Sequence, residues 1–146
     1  MKIPTRVQYG VRLMFQLAVR YGQGYAFLHD IARREGLSEK YLSLIVMPLR
    51  AHGLVASSRG AHGGYMLAKA PDAISVLDIV RALQGELEVV RPERAARTTS
   101  VMAACIEREV WQVLEQSITT TLAGITLQRL ADAYNRQLAS ALMYEI

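Results

Sequence analysis

Residues 54–68 constrain the fold of this chain more than any other stretch. Two short apolar runs, residues 54–56 and 65–68, flank a loop that holds three glycines. Because glycine reaches positive φ angles without steric cost, the pattern predicts a strand, a tight turn and a second strand. The loop lacks bulky apolar side chains and offers Arg59 and His62, which suit a phosphate backbone or the floor of a DNA groove. Taken alone it also suits an ordinary surface hairpin, and the residues before it favour DNA binding.

Two predicted helices with a tight turn between them precede this hairpin. Residues 28–35 have apolar positions at helical spacing and end at Gly36, and Ser38 is a suitable N-cap for a longer second helix. This arrangement is a helix-turn-helix, in which the N-terminal part of the second helix enters the major groove. Pro48 lacks a backbone N–H and is expected to kink the second helix or to begin a new turn. The predicted inner face of that helix is Leu42, Ile45, Val46 and Leu49.

Further helices are predicted on both sides of this unit. One helix covers residues 3–21 with Thr5 as its N-cap, and another begins after Ser75. The predicted fold class is mainly α with a small β-hairpin. It comprises a winged helix-turn-helix domain over residues 1–84, a sensor-type loop over residues 85–104 and a helical dimerisation region over residues 105–146.

The helix that follows Cys105 has more apolar surface than a small winged-helix core can cover. Burial against the same helix of a second subunit would cover it, so we expect a homodimer, with docking onto its own domain as the alternative. A symmetric dimer implies a palindromic operator with half-sites about one helical turn, or a multiple, apart. The predicted interface stripe is Ile106, Val110, Trp111, Leu114 and Ile118.

Charge is distributed unevenly along the chain. Residues 1–70 contain ten Lys/Arg against three Asp/Glu, a formal charge of +7, whereas residues 71–146 contain seven against ten, a charge of −3. A basic front half is typical of a protein that binds a polyanion. The combination of this charge with the helix-turn-helix and wing predicts binding to double-stranded DNA.

Composition limits the other classes of protein. No apolar run exceeds six residues, so no membrane span or membrane partner is expected. A single cysteine, Cys105, cannot form an intramolecular disulfide, which favours the cytoplasm. No catalytic Ser/His/Asp set or paired carboxylates stand out, and the loop Gly60-Ala61-His62-Gly63-Gly64 is not followed by the Gly-Lys-Ser/Thr of a phosphate-binding loop. We therefore do not expect an enzyme.

We predict a DNA-contacting surface from three parts of the chain. Ser38 and Tyr41 are expected mainly to fix phosphates, Ser43 to influence base choice, and Arg59 to be the principal wing contact. The full set is Thr5, Tyr9, Ser38, Lys40, Tyr41, Ser43, Arg50, Ser58, Arg59, Gly60, His62, Gly63, Gly64 and Tyr65.

The sequence resembles the Rrf-type bacterial transcription regulators over nearly its whole length, and the wing is the most specific part. This family includes an iron–sulfur cluster regulator, a nitric-oxide-sensing repressor and a cysteine-metabolism repressor. The resemblance implies a dimeric DNA-binding regulator, most often a repressor. It is carried by Tyr9-Gly10-Val11-Arg12, Ile31-Ala32, Gly36-Leu37-Ser38-Glu39-Lys40-Tyr41-Leu42, Leu49-Arg50, Gly53-Leu54-Val55, Ser58-Arg59-Gly60-Ala61-His62-Gly63-Gly64-Tyr65-Met66-Leu67-Ala68 and Ile79-Val80-Arg81-Ala82-Leu83-Gln84-Gly85.

Several members of that family hold an iron–sulfur cluster on three cysteines, and in the iron–sulfur cluster regulator the pattern is Cys-x5-Cys-x5-Cys-x2-His. If Cys105 is the third cysteine, the other positions are Glu93, Thr99 and Arg108. A cluster needs about four soft ligands, and a guanidinium puts a permanent positive charge where a ligand should be. We therefore expect no metal and no cofactor.

Three alternatives remain open at this point. Cys105 is a possible redox or electrophile sensor, since it is expected to begin a helix, where the thiolate is favoured; a small buried residue is the other interpretation of this thiol. An effector ligand or a partner protein is the other source of a signal. A winged helix that binds only proteins is the third alternative, and the charge asymmetry argues against it.

Overall fold

The computed structural model describes residues 2–58, 64–90 and 100–145. Its elements follow in chain order: α1 (Thr5–Val19), β1 (Ala26–Phe27), α2 (Leu28–Glu35), α3 (Glu39–Ala51), β2 (Val55–Ser57), β3 (Gly64–Leu67), a 3-10 turn (Pro71–Ala73), α4 (Val76–Gln84), α5 (Val101–Ile106), a π-helical segment (Glu107–Trp111), α6 (Gln112–Ala123) and α7 (Leu127–Tyr144). The predicted fold class, mainly helical with a small antiparallel sheet, is confirmed.

The predicted helix-turn-helix is present as α2 and α3. Gly36 adopts the left-handed conformation with φ of 66°, and Ser38 caps α3 by accepting a hydrogen bond from the Tyr41 N–H at 3.1 Å. Of the two outcomes expected at Pro48, the new turn is wrong. The helix continues through Pro48 to Ala51, because only one turn follows the proline and His52 closes that turn by donating its backbone N–H to the Pro48 carbonyl at 3.0 Å.

The start of α1 also differs from the sequence prediction. Pro4 is the N-cap residue, and its carbonyl accepts from the Val7 and Gln8 N–H groups at 3.0 and 3.2 Å. Thr5 is the first helical residue, with no side-chain capping hydrogen bond among the described residues. Proline favours the extended conformation that an N-cap position needs, which displaces Thr5 into the helix.

A third strand converts the predicted hairpin into a three-stranded antiparallel sheet in the order β1-β3-β2. In β1, Ala26 pairs with Tyr65 and Phe27 pairs with Gly64, while Val55 of β2 pairs with Leu67. Two residues are too few to show an alternating pattern, so β1 could not be predicted from the sequence.

The hydrophobic core lies between α1, α2, α3, α4 and the sheet. Leu127 at the start of α7 is the one residue of this core cluster that comes from beyond residue 83 in the described part of the chain. Two backbone hydrogen bonds attach this end of the chain to the start of α4: Val76 N–H to Ile125 O at 2.8 Å and Leu127 N–H to Ile74 O at 2.9 Å. The central core residues are Leu13, Met14, Ile31, Leu42, Ile45, Leu49, Ile74, Ile79 and Leu127.

Residues 101–123 form one long helical path, here called the long helix. It begins at Val101, four residues earlier than predicted, because Ser100 caps it by accepting from the Ala103 N–H at 3.0 Å. The π-helical segment at Glu107–Trp111 adds a wider turn. Apolar side chains before this segment are therefore rotated about the axis relative to those after it, and the predicted stripe is not one regular α-helical row. Gly124 ends the long helix as predicted.

Candidate nucleic-acid interface

The outward face of α3 is the first part of the candidate interface. Lys40 and Arg50 are exposed on this face, as predicted, and Ser43 is half-buried. Between them, Leu44 and Met47 are 56% and 64% exposed. Met47 was missed by the sequence prediction, although it lies at helical spacing from Lys40 and could have been found from that spacing. The face that could meet a groove thus combines cationic ends with an apolar middle suited to thymine methyl groups.

Tyr41 differs from its predicted outward position. Its ring packs edge-to-face on the Tyr9 ring of α1, with centroids 6.0 Å apart, and both residues are half-buried against the core. The Arg12 guanidinium lies 5.6 Å from the Tyr9 ring centroid, a cation–π arrangement. These contacts fix the start of α3, the second or recognition helix of the helix-turn-helix, against α1. Tyr9 and Tyr41 are brought together as neighbours, while Thr5 is exposed at the start of α1.

The base of the wing is fixed by reciprocal contacts between Ser58 and Gly64. The Ser58 N–H donates to the Gly64 carbonyl at 2.9 Å, and the Gly64 N–H donates to Ser58 Oγ at 3.1 Å. A Cβ atom at Gly64 would lie 2.7 Å from the Cβ of Tyr25, so only glycine fits this position. Tyr65 is half-buried and pairs with Ser57 and Ala26 across the sheet. The predicted contacts Arg59, Gly60, His62 and Gly63 lie outside the described residues.

A buried carboxylate links α1 to the end of α2. The Glu35 side chain is only 11% exposed, and Arg12 Nε lies 2.7 Å from its Oε2. Gln16 Nε2 donates to its other oxygen at 3.0 Å. Among the described residues Oε2 has no aligned hydrogen-bond donor, so the Arg12 contact is held by charge. Glu35 immediately precedes the turn of the helix-turn-helix, and the sequence pattern gave no sign of this pair.

Cys105 does not begin a helix, which corrects the expectation made from the sequence. It is the fifth residue of α5, beyond the first turn that Ser100 caps, and it is exposed. The thiol therefore lies beyond the first turn, to which the effect of a helix N-terminus is confined.

The residues present do not fit the iron–sulfur cluster held by members of the family that the sequence resembles. The chain has one cysteine, and an exposed arginine, Arg108, stands at the fourth position of the ligand pattern. Glu93 and Thr99 lie outside the described residues. Among the residues that the structure covers, no three His, Cys, Asp or Glu side chains are grouped closely enough to hold a metal ion.

Apolar side chains remain exposed along the long helix. Ile106, Val110 and Leu114 of the predicted stripe are 47%, 45% and 37% exposed, and Trp111 and Ile118 are half-buried.

No helix of the described residues is sufficiently long and apolar to cross a membrane.

The helix-turn-helix, the antiparallel sheet with its wing and the capped recognition helix define a winged-helix DNA-binding protein. The sequence model of the Rrf2 family, which is described as an iron-dependent transcriptional regulator, matches residues 3–133 of this chain. The chain therefore belongs to the Rrf2 family of transcription regulators, and its relatives are regulators rather than enzymes.

The sequence similarity to known relatives covers nearly the whole chain. The HTH-type transcriptional regulator CymR of Bacillus subtilis is 41% identical over 134 residues, 90% of each chain. IscR of Erwinia tasmaniensis is 33% identical and covers 90% of this chain and 79% of its own. The structure of CymR, the global cysteine regulator of B. subtilis, superposes with a TM-score of 0.77 and 38% identity, covering 91% of this chain and 98% of its own. That of T. potens IscR gives a TM-score of 0.75, 41% identity and coverage of 99% and 96%.

Proposed function

We propose that this protein is a homodimeric repressor that binds a palindromic operator with α3 in the major groove and the wing beside it, and that it does so without an iron–sulfur cluster. The observation that carries the proposal is the exposed face of α3, whose N-terminus is fixed by Ser38 and by the packing of Tyr41 on Tyr9. A recognition helix held in this way pays little conformational entropy when it enters a groove.

The proposed role of each interface residue follows from the hydrogen-bonding groups and charge of its side chain. The Ser38 hydroxyl accepts from a backbone N–H and can still donate to a phosphate oxygen. Lys40, Arg50 and Thr5 supply further phosphate contacts, and Ser43 with Leu44 faces base edges. Arg59, with Gly60, His62 and Gly63, is proposed to contact the backbone or minor groove from the wing.

The homodimer is proposed to form through the exposed apolar side chains of the long helix. Covering them removes apolar area from water, the main favourable term in protein association. A twofold dimer then presents two recognition helices to the two halves of a palindrome. Because the chromosome is the target, the proposed location is the cytoplasm.

Operator binding can be tested with duplexes selected by the wild-type protein from a random library. Lys40→Ala should reduce the magnitude of the slope of log K against log salt by about two, because the dimer loses one phosphate contact in each half-site. Arg136→Ala, which removes an equal charge from α7, is the matched control and should leave the slope unchanged. Arg59→Ala should cost about 1–3 kcal/mol of binding free energy. Selection of no common sequence, or equal slopes for Lys40→Ala and wild type, would contradict the proposal.

A further inference from the structure

The side of α3 that lies opposite the core has two large apolar side chains in its middle. Leu44 and Met47 are 56% and 64% exposed, whereas Ile45 and Leu49 of the same helix are buried in the core. Residues three and four apart are neighbours on a helix surface, so Lys40, Leu44 and Met47 follow one another along this side. Leu44 and Met47 therefore form one continuous surface, here called the apolar patch.

The side chains around the apolar patch are cationic or short. Lys40 lies one turn before the patch and Arg50 one turn after it, and both are exposed. Ser43 is half-buried on its flank, and Glu39, the one acidic residue of α3, lies in the first turn of the helix. Cations on both sides of the patch suit phosphates of DNA strands, which would place the patch over the base edges between them.

A protein is a poor partner for the apolar patch. Two side chains offer only a small part of the roughly 1,200–2,000 Å² that a stable protein interface buries, and lysine is depleted at such interfaces. The dimer interface that we propose uses a different element, the long helix. The patch instead belongs to the half of the chain with a formal charge of +7, which favours a polyanion.

An apolar side chain in the major groove can distinguish one base from the others. Thymine presents a C5-methyl group there, whereas the characteristic groups of the other bases are hydrogen-bond donors and acceptors. A polar base edge placed against Leu44 would lose hydration without gaining a hydrogen bond, which is costly. A thymine methyl group instead gains from removal of its surface from water. The apolar patch therefore favours thymine.

The length of the patch limits how many base pairs it can read. Leu44 and Met47 are about 4.5 Å apart along the helix axis, since each residue of an α-helix rises about 1.5 Å. Base pairs are about 3.4 Å apart, so the patch covers one or two of them. Leu44 lies in the second turn of α3, nearer the N-terminal end that enters the groove, and Met47 lies in the third. Leu44 is therefore expected to have the larger effect.

We propose that Leu44 and Met47 select thymine at one or two positions of each operator half-site by burying its C5-methyl group. This inference rests on the proposed function, because it requires α3 to lie in the major groove of an operator. It adds which base is selected, and by which side chains.

The DNA half of the test replaces thymine by deoxyuridine, which removes the methyl group and keeps the base pairing. An operator selected by the wild-type protein from a random library is synthesised with uracil at one symmetric pair of thymines at a time. At one pair or more, we expect wild-type affinity to fall about tenfold, because one buried methyl group is lost in each half-site. Thymines outside the patch should give changes within about twofold. Fluorescence anisotropy of labelled duplexes measures these affinities.

The protein half of the test asks which side chain senses the methyl group. Leu44→Ala should bind the thymine and uracil operators within about twofold of each other at the sensitive pair, whereas Leu44→Met, which remains apolar, should retain most of the discrimination. Met47→Ala should have the same effect at a second sensitive pair, if the patch covers two.

Two control variants separate methyl recognition from a general loss of binding. Lys40→Ala should weaken binding to both operators and keep their affinity ratio, because a phosphate contact does not sense the methyl group. Val19→Ala shortens an exposed apolar side chain of α1 and should leave both affinities unchanged. All substituted side chains are exposed, so the midpoint of urea unfolding should stay near that of wild type.

The possible failures of this inference differ from failure of the proposed function. Wild-type protein that binds every uracil operator within about twofold of the thymine operator would overturn the inference and leave operator binding intact. So would an undiminished ratio in both Leu44→Ala and Met47→Ala. A change of oligomeric state in Leu44→Ala would show that the apolar patch is a protein contact, and would also overturn it. Selection of no common sequence by the wild-type protein would contradict the proposed function itself, and the inference with it.

Discussion

The DNA-binding half and the long helix differ in how much of their own surface they bury. In the described residues, all buried hydrophobic side chains except Leu127 and Ala131 lie between residues 7 and 83. The long helix has no buried residue in any of its three parts, and every residue from 100 to 110 is exposed. The first region holds nearly all of the core, which Leu127 of α7 completes, and the second is a helix with little tertiary support.

This difference indicates where each region obtains its stability. Isolated helices are marginal in water, since most helical stability in proteins comes from packing of an apolar face. Such a face is present on the long helix, but in the single chain it meets solvent. The DNA-binding half, together with the start of α7, is therefore expected to keep its core in the single chain. The long helix is expected to act as half of an interface between two copies.

The largest effect is expected from substitutions that break this dimer interface. Val110→Asp with Leu114→Asp places four carboxylates in a dimer interface, and each buried polar group costs about 1–3 kcal/mol. The dimer dissociation constant should rise at least about a thousandfold, with an accompanying loss of operator affinity. Sedimentation equilibrium measures this, with Gln112→Asp plus Gln116→Asp on the opposite side of α6 as the charge-matched control. A stable dimer of the first variant would refute this interface.

The next prediction compares one leucine from each region. Leu49 is fully buried and Leu114 is 37% exposed. Leu49→Ala should lower the free energy of unfolding by about 2–5 kcal/mol at any protein concentration, because it leaves a cavity in a closed core. Leu114→Ala should act mainly through association, so its effect on the unfolding midpoint should depend on protein concentration. Urea unfolding at two concentrations separates them, and identical behaviour would remove the distinction between the regions.

A smaller difference in stability between the two regions is expected when the serine caps of α4 and of the long helix are removed. Ser75 caps α4 in a reciprocal pair, accepting from the Asp78 N–H at 3.1 Å while Asp78 Oδ2 accepts from the Ser75 N–H at 2.9 Å. Ser75→Ala should lower global stability by about 1 kcal/mol. Ser100→Ala removes the cap of the long helix, which should increase amide exchange at its first turn with little effect on global unfolding. An equal change in global stability for both variants would contradict this prediction.

The smallest expected effect concerns the thiol. Cys105 is exposed, so Cys105→Ser should change stability by less than about 0.5 kcal/mol. Operator binding should also be unchanged, because we propose that this residue is not a metal ligand. Anaerobic purification with an absorption spectrum and iron analysis provides the check. Brown wild-type protein with stoichiometric iron, lost in Cys105→Ser, would show that a cluster binds after all.

Much of the DNA-binding half could be predicted from the sequence because its signals are local. The spacing of Leu42, Ile45, Val46 and Leu49 predicted the buried face of α3, and Gly36 and Ser38 predicted the turn and the cap. Each signal needs only residues within one or two turns of each other. The same locality explains the errors at Thr5 and Pro48, where neighbouring residues set the helix start and allowed the helix to continue.

The remaining features required the tertiary structure, because they join residues that are distant in the sequence. Strand β1 is too short to have a pattern and exists because β3 lies beside it. Tyr41 turns inward because Tyr9 is there to pack against, and Glu35 tolerates burial because Arg12 and Gln16 reach it from α1. The sequence by itself determined which segments are helices and which face of each is apolar. Only the packing of α1 against the other helices decided which polar groups are paired, because those partners are distant in the sequence.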